Sequence, residues 1–381
     1  MKRKRRTTLA VLAASAAAML ALGVATSVQT AAAPGPPGGP TPFKVVARGL
    51  DNPRGLAFGP NGALYVAEAG QGGQGPCGRS AEGERVCYGK SGAVTRLKDG
   101  PQKRLIRGLP SLAGKDGSAA TGPSDVSVLE EDGSLRLLVA VGGFGGKGDG
   151  ARGISGDKRF QSLLLRAKGG EVERGANLLA YEARNNPDGQ QVDSNPNSLV
   201  ASEDKRVVAD AGANALLEAK DGEISTLAVF PDRKVNGPDG KPVSMESVPD
   251  AVVKAPDGGY YVGELTGFPF PVGAARVYHV AHGGKPEVYA KGFTNIVDVA
   301  VGPKGGLYVL EIAKKGLLQA FSPGGDFTGR LVHVGREGKR KVVASKGLVA
   351  PTSVAVGPKG GIYVSNFGVF PDQGQVVRIQ R

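Results

Sequence analysis

Tryptophan is absent from this 381-residue chain, and it has only two cysteines and three histidines. Without tryptophan, and with aromatics at 6%, little is available for broad stacking on sugar rings. The thiols Cys77 and Cys87 have no histidine near them in sequence, which argues against a zinc centre. His279, His282 and His333 fall on or beside the third strand of a repeat described below, which disfavours a histidine-based catalytic dyad. There is no Walker motif and no dinucleotide fingerprint. The run Gly142–Gly148 is followed by no helical pattern, so it is expected to be a loop and not a phosphate cradle. Beyond residue 28 no apolar run is long enough to span a bilayer.

What is abundant is glycine, with 61 residues, arranged in a repeat. A short apolar strand, a glycine turn, a second apolar strand and a polar residue recur along the chain. Ile296–Glu311, Pro351–Asn366 and Pro53–Glu68 show the unit plainly, as in Val-Ala-Val-Gly-Pro-Lys-Gly-Gly-Ile-Tyr-Val-Ser-Asn366. The first strands start at Pro53, Pro123, Pro196, Pro249, Ile296 and Pro351, and the variable excess between them lies in loops. Two further strands follow each pair, as at 329–334 and 341–345. Six such units predict an all-β, six-bladed β-propeller. The last unit lacks its fourth strand, and Phe43-Lys-Val-Val-Ala47 resembles the fourth strand Lys341-Val-Val-Ala344. The opening segment is therefore expected to complete the last blade and remove an open sheet edge.

The beginning of the chain reads as a leader. Lys2 to Arg6 are basic, residues 7–28 carry no charge, and Thr30–Ala33 are small, so residues 1–33 are expected to be an export signal cut near Ala32. Residues 34–42 form a Pro/Gly-rich spacer, and 43–381 form the propeller. An exported, monomeric protein is expected. The formal charge of +13 falls to +8 when the five basic leader residues are set aside. That charge suits anionic cell-wall polymer more than nucleic acid, and no nucleic-acid partner is expected. In an exported chain, Cys77 and Cys87 are expected to form a disulfide closing a small loop, adding about 2–3 kcal/mol.

An antiparallel meander brings first-strand starts, second-strand ends and the loops after them to one face. The first-strand starts supply Asn52, Arg54, Asp125, Asn197, Asp250 and Asp298, and the second-strand ends supply Glu68, Asp210, Glu264, Glu311 and Asn366. These are the candidate residues of an axial mouth. The second-strand set Glu68, Asp210, Glu264, Glu311 and Asn366 is the candidate ligand set for Ca²⁺ or another divalent cation, or a source of a general base. The competing reading is that these oxygens satisfy backbone groups at strand ends. Phe268, Phe270, Phe367 and Phe370 are expected to rim the mouth and suit a small amphipathic ligand or a partner segment.

Several stretches resemble the ScyD/ScyE family of exported bacterial β-propellers. They are Gly49-Leu-Asp-Asn-Pro-Arg-Gly-Leu-Ala-Phe58, Pro76-Cys with Val86-Cys-Tyr88, Asn186-Pro-Asp-Gly189 with Val192-Asp-Ser-Asn-Pro196, Val208-Ala-Asp-Ala-Gly212, and Thr266-Gly-Phe-Pro-Phe-Pro-Val-Gly273. The resemblance runs from about Phe43 to the C-terminus. It implies export and six blades, and it carries over no catalytic residue. Two functions are therefore weighed: binding of a ligand or partner at the axial face, and a divalent-metal hydrolase of lactonase type. The second rests on fold-level analogy to wider propeller relatives.

Overall fold

The computed structural model describes residues 43–98, 101–146, 148–166, 170–281 and 283–380. The expected leader and spacer (1–42) and His282 lie outside the described residues.

Six antiparallel sheets of four or more strands, and one two-stranded hairpin, make up the fold. Their innermost strands are Pro53–Phe58, Pro123–Glu131, Pro196–Ala201, Pro249–Lys254, Ile296–Val301 and Ser353–Val356, here numbered blades 1 to 6. Each inner strand packs against the next, and blade 6 packs back against blade 1, so the ring closes. The chain is a β-propeller. Among the described residues no helix is long and apolar enough to cross a membrane.

The segment Phe43–Leu50 is the outer strand of blade 6, paired antiparallel with Gly374–Ile379. Phe43 faces Ile379 and Val45 faces Val377 across the ladder. Both ends of the described chain are thus tied into one sheet, as the sequence predicts.

Tight turns join the two inner strands of the blades. Gly62, Gly305 and Gly360 adopt φ of 72°, 76° and 73°, which β-carbons disfavour. Apolar side chains alternate on the strands and meet those of the adjacent sheet. Between blades 1 and 2, for example, Tyr65, Val94, Val126, Val139 and Phe160 share one core. Blade 1 departs from the expected four short strands. Its third strand extends over Arg85–Leu97 and its fourth over Lys103–Ala113, and a short added strand, Cys77–Arg79, pairs with the extension. Cys77 and Cys87 face each other on that added hairpin and form the expected disulfide.

Candidate functional site: an axial cavity

In blades 1 to 5 the inner strand carries a register shift against its partner at the same place. Pro123 pairs with Val141 and Asp125 with Ala140; Pro249 pairs with Glu264 and Ala251 with Gly263; blades 1, 3 and 5 repeat the slip. One extra residue of the inner strand is left unpaired there, and such a bulge re-aims side chains. The two positions at the bulge then form two rings around the axis.

The first ring holds the residue after the leading proline or isoleucine: Arg54, Ser124, Asn197, Asp250, Val297 and Thr352. The second holds the next residue: Gly55, Asp125, Ser198, Ala251, Asp298 and Ser353. The second ring reads small–Asp–Ser twice, so the propeller has an approximate two-fold repeat at its axis. All of these except Ala251 line one cavity of about 70 Å³, together with Leu265, Ile312 and Leu317. Several water molecules fit such a volume. A drug-sized ligand, which fills several hundred Å³, does not.

The second ring is a set of inter-blade staples. Asp125 Oδ2 accepts the Leu199 amide of blade 3 at 2.7 Å, and its Oδ1 accepts the Val126 amide at 2.8 Å. Ser198 Oγ lies 3.3 Å from Asp125 Oδ2 and accepts the Val252 amide of blade 4 at 3.1 Å. The other half repeats this. Asp298 Oδ2 accepts the Val354 amide at 2.8 Å and the Ser353 hydroxyl at 2.5 Å, and Ser353 Oγ accepts the Leu56 amide of blade 1 at 3.0 Å. A β-carbon on Gly55 would sit 1.9 Å from Asp125 Oδ1, so glycine is required beside this carboxylate.

The first ring supplies the groups that are left over. Arg54 donates to the carbonyls of Gly368 at 2.9 Å and Ala120 at 2.8 Å, and among the described residues it makes no ion pair. Asn197 donates its amide N–H to the Asp250 carbonyl at 3.2 Å. The Asp250 side chain is 5% exposed, and among the described residues nothing donates to it.

Burial sets the electrostatics. It lifts Asp125 to about 8, with the charge of Asp298 adding to the shift and the Leu199 and Val126 amides opposing it. Asp250 is pushed well above the carboxylate range by burial first and Asp298 second, with Arg54 pulling the other way. Asp298 rises to about 6 through burial, opposed by Ser353 and the Val354 and Val299 amides. Burial likewise lowers Arg54 to about 10, against the pull of Asp250.

The second-strand ends do not join this cavity, which corrects the expectation that they share one mouth. Glu68, Asp210, Glu264, Glu311 and Asn366 are all fully buried. Each binds the segment that leads into its own inner strand. Glu68 accepts the Asp51 amide, Glu311 the Thr294 amide and Asn366 the Val349 amide, each 17 residues upstream, at 2.8, 2.9 and 2.7 Å. Glu264 takes the Ser247 hydroxyl at the same separation, and Asp210 takes the Asn195 amide and the Ser194 hydroxyl. Arginines close three of these sites: Arg104 on Glu68 and Asp51, Arg233 on Glu264, and Arg330 on Glu311.

Among the described residues no three His, Cys, Asp or Glu side chains gather closely enough to hold a metal ion. Asn52 also turns inward as a structural residue, donating to the Gly70 and Gly117 carbonyls at 2.8 and 2.9 Å.

The expected aromatic rim is split. Phe270 is 3% exposed and belongs to the core between blades 4 to 6, against which Phe370 packs while half-buried. Phe367 is half-buried and stacks edge-on with Phe370. Phe268 is 44% exposed, and Val272 and Leu318 are exposed too. Val272 lies against Gly316, which leads into the short helix Leu317–Ala320, and Leu317 lines the cavity. Phe268, Val272 and Leu318 are exposed apolar side chains of the loops that follow the second strands of blades 4 and 5.

No family model and no curated protein matches the chain. Solved structures that it resembles are propellers. They include a gluconolactonase of Xanthomonas campestris (9% identity, TM-score 0.50, 89% of each chain). A PQQ-bound aldose sugar dehydrogenase of Streptomyces coelicolor gives 12% identity and a TM-score of 0.50, over 88% of this chain and 97% of that one. A glucose dehydrogenase gives 14% and 0.50, over 90% and 99%. At these identities the likeness speaks to fold alone.

Proposed function

We propose that this is an exported propeller of the ScyD/ScyE type that binds a small ligand, or a narrow segment of a partner, in its axial cavity. One observation carries the reading: Asp250 is buried, lines the cavity and receives no hydrogen bond from the described residues. A carboxyl that lines a cavity and takes no bond from the fold is placed to receive one from an occupant. The exposed surface of Phe268, Val272 and Leu318 gives the ligand's remainder an apolar place to lie. Export, a monomeric state and contact with anionic wall polymer are part of the proposal. They rest on the leader pattern and the basic charge.

Lactonase-type hydrolysis is the second reading. Its support is an Asp125 carboxyl that holds its proton near neutral pH and so suits general acid–base work. A gluconolactonase of the same fold adds fold-level analogy. Binding is favoured because both Asp125 oxygens are already engaged by the Leu199 and Val126 amides, which leaves that carboxyl poorly free for acid–base work.

The test is a thermal-shift screen of the mature protein against small cations, anions, polyols and lactones, with Val297→Trp as the cavity-filled control. Shifts in the wild type that vanish in V297W support the axial site. Ligands that act equally on both proteins contradict it.

A further inference from the structure

We propose that the protein has a second site, between blades 2 and 3 and apart from the axial cavity, for a hard divalent cation, calcium above all. Its ligands are the Glu182 carboxylate and the Gln161 side-chain oxygen, with the Asp193 carboxylate beside them. None of the three lines the axial cavity. Glu182 lies on the helix Leu178–Asn185, which follows the outer strand of blade 2. It is fully buried, and neither of its carboxylate oxygens has a hydrogen-bond partner among the described residues. The Asp193 amide faces it without reaching hydrogen-bond geometry. Gln161 is fully buried as well. Its side-chain nitrogen donates to the Gly145 and Ser194 carbonyls at 2.8 and 2.9 Å, while its side-chain oxygen has no partner among the described residues. Asp193 accepts the Gly145 amide at 2.8 Å, so the Gln161 amide and the Asp193 carboxylate are tied to one residue. The Gln161 backbone carbonyl takes the Leu178 and Leu179 amides at 3.1 and 3.3 Å, and Glu182 follows Leu178 by one turn on the same helix face. Three buried acceptor oxygens without a donor therefore share one seam, and such atoms in a native fold call for an explanation.

A cation is what these oxygens lack. The charges acting most on Glu182 are Asp210, Asp188 and Asp193, and those acting on the half-buried Glu246 are Asp232, Asp188 and Asp193. All are negative, in a chain whose formal charge is +13. Arg152 reaches the Gln161 backbone carbonyl, but it spends its guanidinium there and on Phe160, Ser162 and Asn177. Burial first, and the acidic neighbours second, lift Glu182 to about 8. A proton held there finds no acceptor in the fold either, so neither protonation state is satisfied. Asn195 also has an unpartnered side-chain nitrogen, but it lines the axial cavity. With both oxygens unengaged, Glu182 suits a bidentate contact, which calcium takes and the stricter octahedron of magnesium does not favour. No three acidic side chains gather at ligand distance among the described residues, so amide oxygen and water must complete the shell. Such a low charge count places the expected dissociation constant at about 0.1–1 mM, the range of extracellular calcium modules.

Melting-temperature and calorimetric titrations of the mature, EDTA-treated protein test this with calcium chloride and magnesium chloride. Glu182→Gln is the variant that keeps the shape and removes the charge. Calcium is expected to raise the wild-type melting temperature with a midpoint of about 0.1–1 mM, and E182Q to weaken calcium binding by about tenfold or more. In EDTA the two proteins are expected to melt alike, and to separate as calcium rises. Hydrogen exchange on the wild type locates the ion should the variant fold poorly: calcium should slow exchange across 178–195 and leave the inner strands of blades 5 and 6 unchanged. No response to either ion means that ordered water satisfies these oxygens, and it overturns the proposal. So does an equal response of wild type and E182Q, a deficit of E182Q that is the same with and without calcium, or protection that appears only elsewhere. Magnesium matching calcium overturns the assignment to calcium. The axial reading is tested separately, by V297W.

Discussion

Asp125 and Asp298 hold equivalent places three blades apart, and each clamps the next blade by accepting the amide that follows its second-ring serine, Leu199 or Val354, at 2.7 and 2.8 Å. Each also meets a serine of that blade, Ser198 or Ser353, whose hydroxyl accepts an amide from the blade beyond. Four of the six blade junctions are thus joined at the axis by side chains of one ring. Asp298→Asn would set an amide N–H₂ against a backbone donor or sacrifice one acceptor. We expect a loss of about 1–3 kcal/mol in urea unfolding, as for a buried donor left unsatisfied.

Gly55→Ala tests the same ring from the other side. Its β-carbon would overlap Asp125 Oδ1, at 1.9 Å, and would force that oxygen off the Val126 amide it accepts. The equivalent residue three blades away is already alanine, Ala251, so a small side chain is compatible with the ring itself. The expected outcome is a loss of roughly 1–3 kcal/mol, the range for overpacking, measured by denaturant midpoint. An additional Asp125→Ser change, which frees the space, should recover part of it.

The carboxylates between blades should behave as structural anchors. Glu311 is fully buried and takes the Arg330 guanidinium at 2.5 and 2.9 Å and the Thr294 amide at 2.9 Å. Arg330→Ala leaves that charge uncompensated and is expected to cost about 3–5 kcal/mol. Binding at the axis by the surviving folded protein should be unchanged. A selective loss of ligand binding at full stability would return Glu311 to the site.

The axial carboxyls give the stability a sign with pH. Asp125 and Asp298, raised to about 8 and 6, and Asp250, also raised, bind protons more tightly folded than unfolded. The stability they contribute is full below the unfolded value near 3.9 and is lost as pH rises through the folded values. Asp250→Asn removes one such group. Its melting temperature relative to wild type should therefore climb as pH rises above about 4 and be near zero at the acid end. A difference that is flat with pH would contradict the burial of this carboxyl.

The fold was legible because strand alternation and glycine turns repeat, and because Phe43–Ala47 so resembles Lys341–Ala344. The pairing of Phe43 with Ile379 follows from that likeness. The site was only half legible. Asp250 and Glu264 are both acidic residues at the edges of paired strands, and their patterns look alike. A one-residue bulge after Pro249 separates them: Asp250 joins the axial cavity while Glu264, opposite Pro249, stays between blades. No composition or period announces that bulge. The partners Arg104 and Arg233 lie 36 and 31 residues from their glutamates, the first on the fourth strand of the same blade and the second on the separate two-stranded hairpin, and no sequence spacing announces either approach. Phe270 was misplaced for a similar reason, since the loop that exposes Phe268 turns it back into the core.

The most direct test of the account is a carbon-13 NMR titration of the side-chain carboxyls of the mature protein, assigned through D125N, D250N and D298N. An enclosed axial cavity predicts one carboxyl titrating near pH 8, one near pH 6, and Asp250 well above the ordinary range. All three titrating near pH 4 would mean that the axis is open to water, and the cavity on which the proposed function rests would not exist.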